Sequence, residues 1–151
     1  MANELDHIAL ANKNHEVLIY LMEQPGKYPE WIATVAFYKA VQIVEATFSN
    51  HHSAKNCSSH PDRLAALKHP DFQLLFPHYR ALYSASTVAR YLHDNLSHTS
   101  YSKFSDYLPS EKVVSKLVYG RLRPVEENAI KLLSDDAKKE LKRLDSQKPR
   151  T

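Results

Sequence analysis

The sequence predicts an all-α protein, an up-and-down bundle of four to five helices in a single domain spanning residues 1–151, and three observations carry that expectation. Only two of the 151 residues are glycine, which suits helices with few tight turns and argues against a sandwich or barrel. The composition, 43% hydrophobic and 25% charged, is that of a globular chain long enough for one continuous core but too short for two. The third observation is the run Pro29–Asn50, PEWIATVAFYKAVQIVEATFSN, in which apolar residues recur at helical spacing with no internal breaker.

That run is the expected central helix. Trp31, Thr34, Val35, Phe37, Val41, Val44 and Phe48 fall at steps of three and four and make one wide apolar face. Beside it stand Tyr38, Gln42 and Glu45, a polar stripe next to the core rather than opposite it.

The other elements follow in order. Between Asn3 and Glu23, Leu5, Ile8, Asn12, His15, Ile19 and Met22 keep the helical period, with Leu18 and Leu21 widening the stripe. Pro25-Gly26 ends this helix and Pro29 opens the next, where a missing N–H costs nothing. So short a connection predicts an antiparallel pair.

The stretch SNHHSAKNCSSHPD has no period and is expected to be a surface loop. Ser59, Pro61 and Asp62 then mark a helix start, giving a short helix from His60 to Lys68 that Pro70 stops. Pro77 to Asp94 forms a helix with many small packing residues, Ala81, Ser84, Ala85, Ser86 and Ala89, suited to close approach of a neighbour. Residues 95–109 carry no helical period. A last helix starts at Ser110-Glu111, keeps its period to Leu133 and is expected to kink at Gly120 and Pro124. From about residue 134 the chain reads as a polar tail that frays.

Charge and motif content narrow the function. The formal net charge is +3, with residues 1–110 near −1 and residues 111–151 near +4. Lys and Arg in that last part are interleaved with Glu126, Glu127, Asp135, Asp136 and Glu140, the pattern of a solvated helix face. No apolar run approaches the roughly 20 residues of a membrane span, and the first ten residues carry acids where a signal peptide carries bases. A cytoplasmic protein without a membrane partner is expected. The single cysteine, Cys57, makes no internal disulfide. No glycine-rich phosphate loop, nucleophile elbow or paired-cysteine motif is present, so no cofactor is expected. His51, His52, Cys57 and His60 match no standard zinc spacing and read as a polar loop; no metal site is expected.

The residues that carry a family signature are Phe37-Tyr38, Glu45 seven residues later, His60 and Arg63 after the loop, and Ala89-Arg90-Tyr91. In this pattern, over roughly residues 8–133, the chain resembles the small bacterial proteins of the HEPN family. The resemblance implies a bundle of four or more helices, frequent homodimers, and association with nucleotides or RNA, some members being metal-independent ribonucleases. Two departures stand out: Gln42 occupies a position where similar proteins often carry His, and Arg90 has no His four to six residues beyond it. One such pair exists elsewhere, Arg63 and His69.

The candidate polar cluster is Tyr38, Gln42, Glu45, His60, Arg63 and Arg90, with Arg63 the partner of Glu45, since a carboxylate at the edge of a core must be paired. As a binding module the protein would be a dimer holding a nucleotide, RNA or a partner protein. As a ribonuclease it would use His60 or His69 as base and Arg63 or Arg90 as the cation facing phosphate. A third reading is a structural dimerisation partner without a ligand.

Overall fold

The computed structural model describes residues 2–24, 26–51 and 59–145. Among them are seven α-helices: α1 (Glu4–Met22), α2 (Pro29–Ser49), α3 (His60–Ala66), α4 (Phe76–Tyr91), α5 (Phe104–Tyr107), α6 (Arg123–Ala129) and α7 (Asp135–Glu140). Short 3-10 turns, Pro70–Phe72, Ser110–Lys112 and Ile130–Leu132, join some of them. No described residue lies in a strand, and no helix among the described residues is long and apolar enough to cross a membrane.

The helix starts are written in local chemistry. Asn3 caps α1 reciprocally, its Oδ1 accepting from Asp6 N and its own N–H donating to Asp6 Oδ2, both at 2.9 Å. Pro29 sits in the first turn of α2, and Ser59 caps α3 by accepting from Asp62 N at 3.2 Å. α4 ends where Leu92 turns left-handed, φ 56°. Long side chains pay an energetic cost there that glycine escapes.

α2 is the centre. It packs most extensively on α1 and then on α4, with Val114–Leu122 and α6 on its remaining sides. The α1–α2 pair is antiparallel, since Glu4 meets Asn50, His7 meets Gln42 and His15 meets Lys39. Because neighbours surround α2, its buried set is wider than one face: Ile32, Ala33, Ala36, Lys39, Ala40, Ile43 and Ala46 join Phe37, Val41, Val44 and Phe48. Trp31, expected inside, is 62% exposed, because it stands two turns before Tyr38 on the same partly exposed side of α2, while Pro29, Ile32 and Ala33 beside it are buried. On α1 the buried residues are Ile8, Ala11 and Leu18, whereas Leu5 and Ile19 face out. The true stripe steps from Ile8 to Ala11 to His15 to Leu18.

The expected kink is a π-helical stretch, Val114–Leu122, running into α6. Arg123 N–H bonds to Val118 O, five residues back. Pro124 has no N–H to give, and in an α-helical turn its ring would press on the Gly120 carbonyl; the wider π turn relieves that conflict.

Two expectations are corrected. Residues 134–145 are no frayed tail: Ser134 caps α7 by accepting from Ala137 N at 3.2 Å, α7 packs on α1, and Ala137, Leu141 and Leu144 are buried. Residues 146–151 lie outside the described residues. The count of four to five helices omits α5 and α7, each under two turns long and so too short to show a period.

Candidate functional site

The site is built on the outer side of α2 where α3 and α4 meet it. Phe37 is its floor. Its ring lies 5.3 Å from that of His60, 5.5 Å from Tyr79 and 5.6 Å from Tyr83, and His60 also packs 5.3 Å from Tyr83. Seven residues along a helix advance about 10.5 Å and return to nearly the same face, so Tyr38 and Glu45 stand at the two ends of one row.

At the Glu45 end, Arg63 Nε donates to Glu45 Oε1 at 2.6 Å, with both side chains only 13% exposed. The same guanidinium donates from Nη1 to His60 Nδ1 at 2.9 Å. His60 therefore spends its Nδ1 lone pair on Arg63 and keeps its proton on Nε2. Burial, and then the charges of Arg63 and Arg90, hold its pKa below the ordinary value. Tyr79 is buried beside this pair with its hydroxyl lacking a well-formed hydrogen bond, and burial pushes its pKa up to about 12 against the opposing pull of Arg63.

At the Tyr38 end, Arg90 donates from Nη1 to Tyr38 Oη at 3.0 Å, and from Nε and Nη2 to Ser86 O and Oγ, each at 3.2 Å. Its guanidinium lies 5.5 Å from the Tyr38 ring centre and 5.1 Å from that of Tyr91. Arg90 makes no ion pair among the described residues. Tyr38 and Tyr91 are 37% and 65% exposed, and the half-buried Arg90 lies between them.

Of the residues singled out from sequence, Tyr38, Glu45, His60, Arg63 and Arg90 share this surface. Gln42 does not: it faces α1, where its Oε1 accepts from His7 Nδ1 at 2.8 Å. His69 is also elsewhere, past the end of α3, its Nδ1 accepting from Asp71 N at 3.1 Å to cap the turn Pro70–Phe72. The Arg63–His69 spacing thus brings no imidazole to the guanidinium; His60 occupies that place. Of the loop cluster weighed for zinc, His52 and Cys57 lie outside the described residues, and His60 is engaged with Arg63. Ser86 was missed, although a serine one turn before an arginine on a helix is the signal that would have found it.

Two polar features lie apart from this surface. A cavity of about 480 Å³ is lined by Pro77, Arg80, Ser84, Asp94, Tyr107 and Arg121, among others. Its carboxylate is already used: Asp94 accepts from Ser84 Oγ at 2.5 Å, Leu96 N at 2.9 Å and Ser97 N at 3.4 Å, and these bonds outweigh burial to keep its pKa low. The other is a buried ion pair. Lys39 donates to Glu126, to His15 Nδ1 at 2.8 Å and to Lys142 O at 2.9 Å, while Glu126 Oε1 accepts from Leu144 N at 2.9 Å. Glu126, expected on a solvated face, is 1% exposed.

No family model matches the chain, and neither do the curated proteins or the solved structures with which it was compared.

Proposed function

We propose that the protein is a binding module for RNA or a nucleotide, holding a phosphate on Arg90 and stacking a base on Tyr38 or Tyr91. The observation that carries this reading is Arg90 itself: a guanidinium with no acidic partner among the described residues, braced by Ser86 and Tyr38 and flanked by two exposed rings. A half-buried cation held in place by its neighbours and lacking an acidic partner among the described residues suits an oxyanion. Exposed aromatic faces beside it suit any base, with stacking contributing about 1–3 kcal/mol per base. Trp31 lies on the same face of α2, seven residues before Tyr38, and extends the row of exposed rings.

Binding is preferred to RNA cleavage because a general base needs an available lone pair. His60 has given the one on Nδ1 to Arg63, and Arg63 is neutralised by Glu45. The HEPN resemblance carried by Phe37-Tyr38, Glu45, His60, Arg63 and Ala89-Arg90-Tyr91 points to the same ligand class, and to a homodimer. The exposed apolar residues Leu10, Val17 and Tyr20 on α1 support self-association.

The test is fluorescence anisotropy with labelled single-stranded RNA in the presence of EDTA, comparing the parent chain with Arg90→Ala and Tyr38→Ala. Binding that both variants weaken by about tenfold or more, a step of roughly 1.4 kcal/mol, with unchanged circular dichroism, is the expected result. RNA intact after incubation is expected alongside it. Cleavage abolished by Arg63→Ala or His60→Ala in a folded chain would replace this reading with the ribonuclease one.

A further inference from the structure

On the opposite end of α3 from its capped start, a second cluster takes no part in the surface just described. His51 follows the last turn of α2, its N–H bonded to Phe48 O at 2.9 Å. His69 and Asp71 flank Pro70 in the turn after α3. The His51 ring packs 4.9 Å from that of His69 and 4.8 Å from Phe72, and Phe72 is in turn locked 5.0 Å from Phe48 in the core. The positions of both imidazoles therefore rest on buried aromatic packing.

Their polar atoms converge. His51 Nε2 is 2.9 Å from Asp71 Oδ2, and His69 Nδ1 is 3.7 Å from the same oxygen; one ligand atom from each of the three residues falls within 4.8 Å of the other two. Four ligands about 2.0–2.1 Å from a tetrahedral ion stand roughly 3.3 Å from one another. The two His–Asp separations bracket that value and the two imidazole ligand atoms lie within 4.8 Å of each other, so side-chain rotations bring the three atoms onto one centre. His69 Nδ1 accepts a hydrogen bond from Asp71 N, which establishes that it carries a lone pair.

We propose that His51, His69 and Asp71 bind a divalent transition-metal ion of the zinc class. Two imidazoles and one carboxylate suit a borderline cation such as Zn²⁺, whereas calcium and magnesium prefer all-oxygen sets. The ion takes the His69 lone pair in place of the Asp71 N–H, and takes the Asp71 carboxylate and His51 Nε2 in place of the hydrogen bond between them, His51 ligating as the tautomer protonated on Nδ1. Three protein ligands leave a fourth tetrahedral position for water. Because His51 belongs to the end of α2 and the other two to the turn after α3, the ion joins two segments separated in sequence, and folded chain is stabilised by mass action as the ion is added.

The experiment is equilibrium dialysis of the chelator-stripped full chain against zinc chloride, with a thermal melt at each zinc concentration. Parent protein is expected to take up one equivalent at micromolar free zinc and to melt higher as zinc is raised. His51→Ala, His69→Ala and Asp71→Asn are each expected to weaken binding by about tenfold or more and to lose the shift in melting. His98→Ala, which disturbs the exposed His93–His98 ring pair, is expected to leave both unchanged. His69→Asn keeps a capping acceptor for Asp71 N but offers no imidazole, so it serves if His69→Ala does not fold. Uptake that is undiminished in the three ligand variants, or absent in the parent, overturns the assignment.

Discussion

Lys39, in the middle of the most buried helix, is fully enclosed and donates to Glu126, 87 residues away in sequence. The ammonium has three N–H groups and three acceptors, Glu126 Oε2, His15 Nδ1 and Lys142 O, so no donor is left unmet. Burial lowers the pKa of Lys39 and raises that of Glu126, and each is pulled back by the other's charge. Lys39→Met is therefore expected to cost on the order of 3–5 kcal/mol, because it leaves the buried Glu126 carboxylate without its cation. Lys39→Met with Glu126→Leu is expected to recover most of that loss. Urea unfolding of the two variants and the parent checks both outcomes.

The same contact sets a pH dependence. Burial first, and then the positive charges of Lys39 and Lys142, lower the pKa of His15 from 6.5 to about 4. Folded protein thus rejects a proton that the unfolded chain accepts between those values. Stability is complete above about pH 6.5, falls as pH drops towards about 4, and loses nothing further from this group below that. His15→Gln, which retains an acceptor for Lys39, is expected to flatten the melting temperature across that window, as followed by circular dichroism.

Arg90 is expected to be a ligand group more than a stabilising one. If it contacts one phosphate, Arg90→Ala lowers the slope of log affinity against log salt by about 1. Repeating the RNA titration at several potassium chloride concentrations reads that slope. A change in affinity with an unchanged slope would place Arg90 outside the phosphate contacts.

Leu92 holds a left-handed conformation at the end of α4 with its side chain 38% exposed. Leu92→Gly relieves a backbone penalty of about 1–2 kcal/mol and forfeits only part of a buried side chain. The lost apolar contact and the entropy glycine adds to the unfolded chain offset that relief, so the unfolding free energy is expected to change by less than about 1 kcal/mol, far less than for a helix-interior Leu→Gly, as urea titration measures.

The parts of this architecture legible in the sequence are those with local causes. Pro29 and the Ser59–Asp62 cap announce two helix starts, and Pro124 announces the disturbance that becomes a π turn. The Glu45–Arg63 contact was also legible, because an acid beside an apolar stripe demands a cation and Arg63 is the first after the loop. What stayed hidden depends on distant neighbours. Nothing around Lys39 in FYKAVQ marks it as buried, and nothing in the alternating charges of 111–145 separates Glu126 from its solvated neighbours. Leu5 and Ile19 fit a helical period as well as Ala11 does; only the position of α2 decides which stripe is covered. Gln42 likewise left the predicted cluster because His7, on another helix, claims its amide.

The three acceptors around Lys39 also impose an order on folding. His15 emerges before the lysine, Glu126 well after it, and the Lys142 carbonyl 103 residues later. Until that carbonyl is in place, Lys39 cannot be enclosed with all three of its donors met. The final packing of α2 therefore awaits residue 142, and the segment that follows α7 is the stitch that closes the seam.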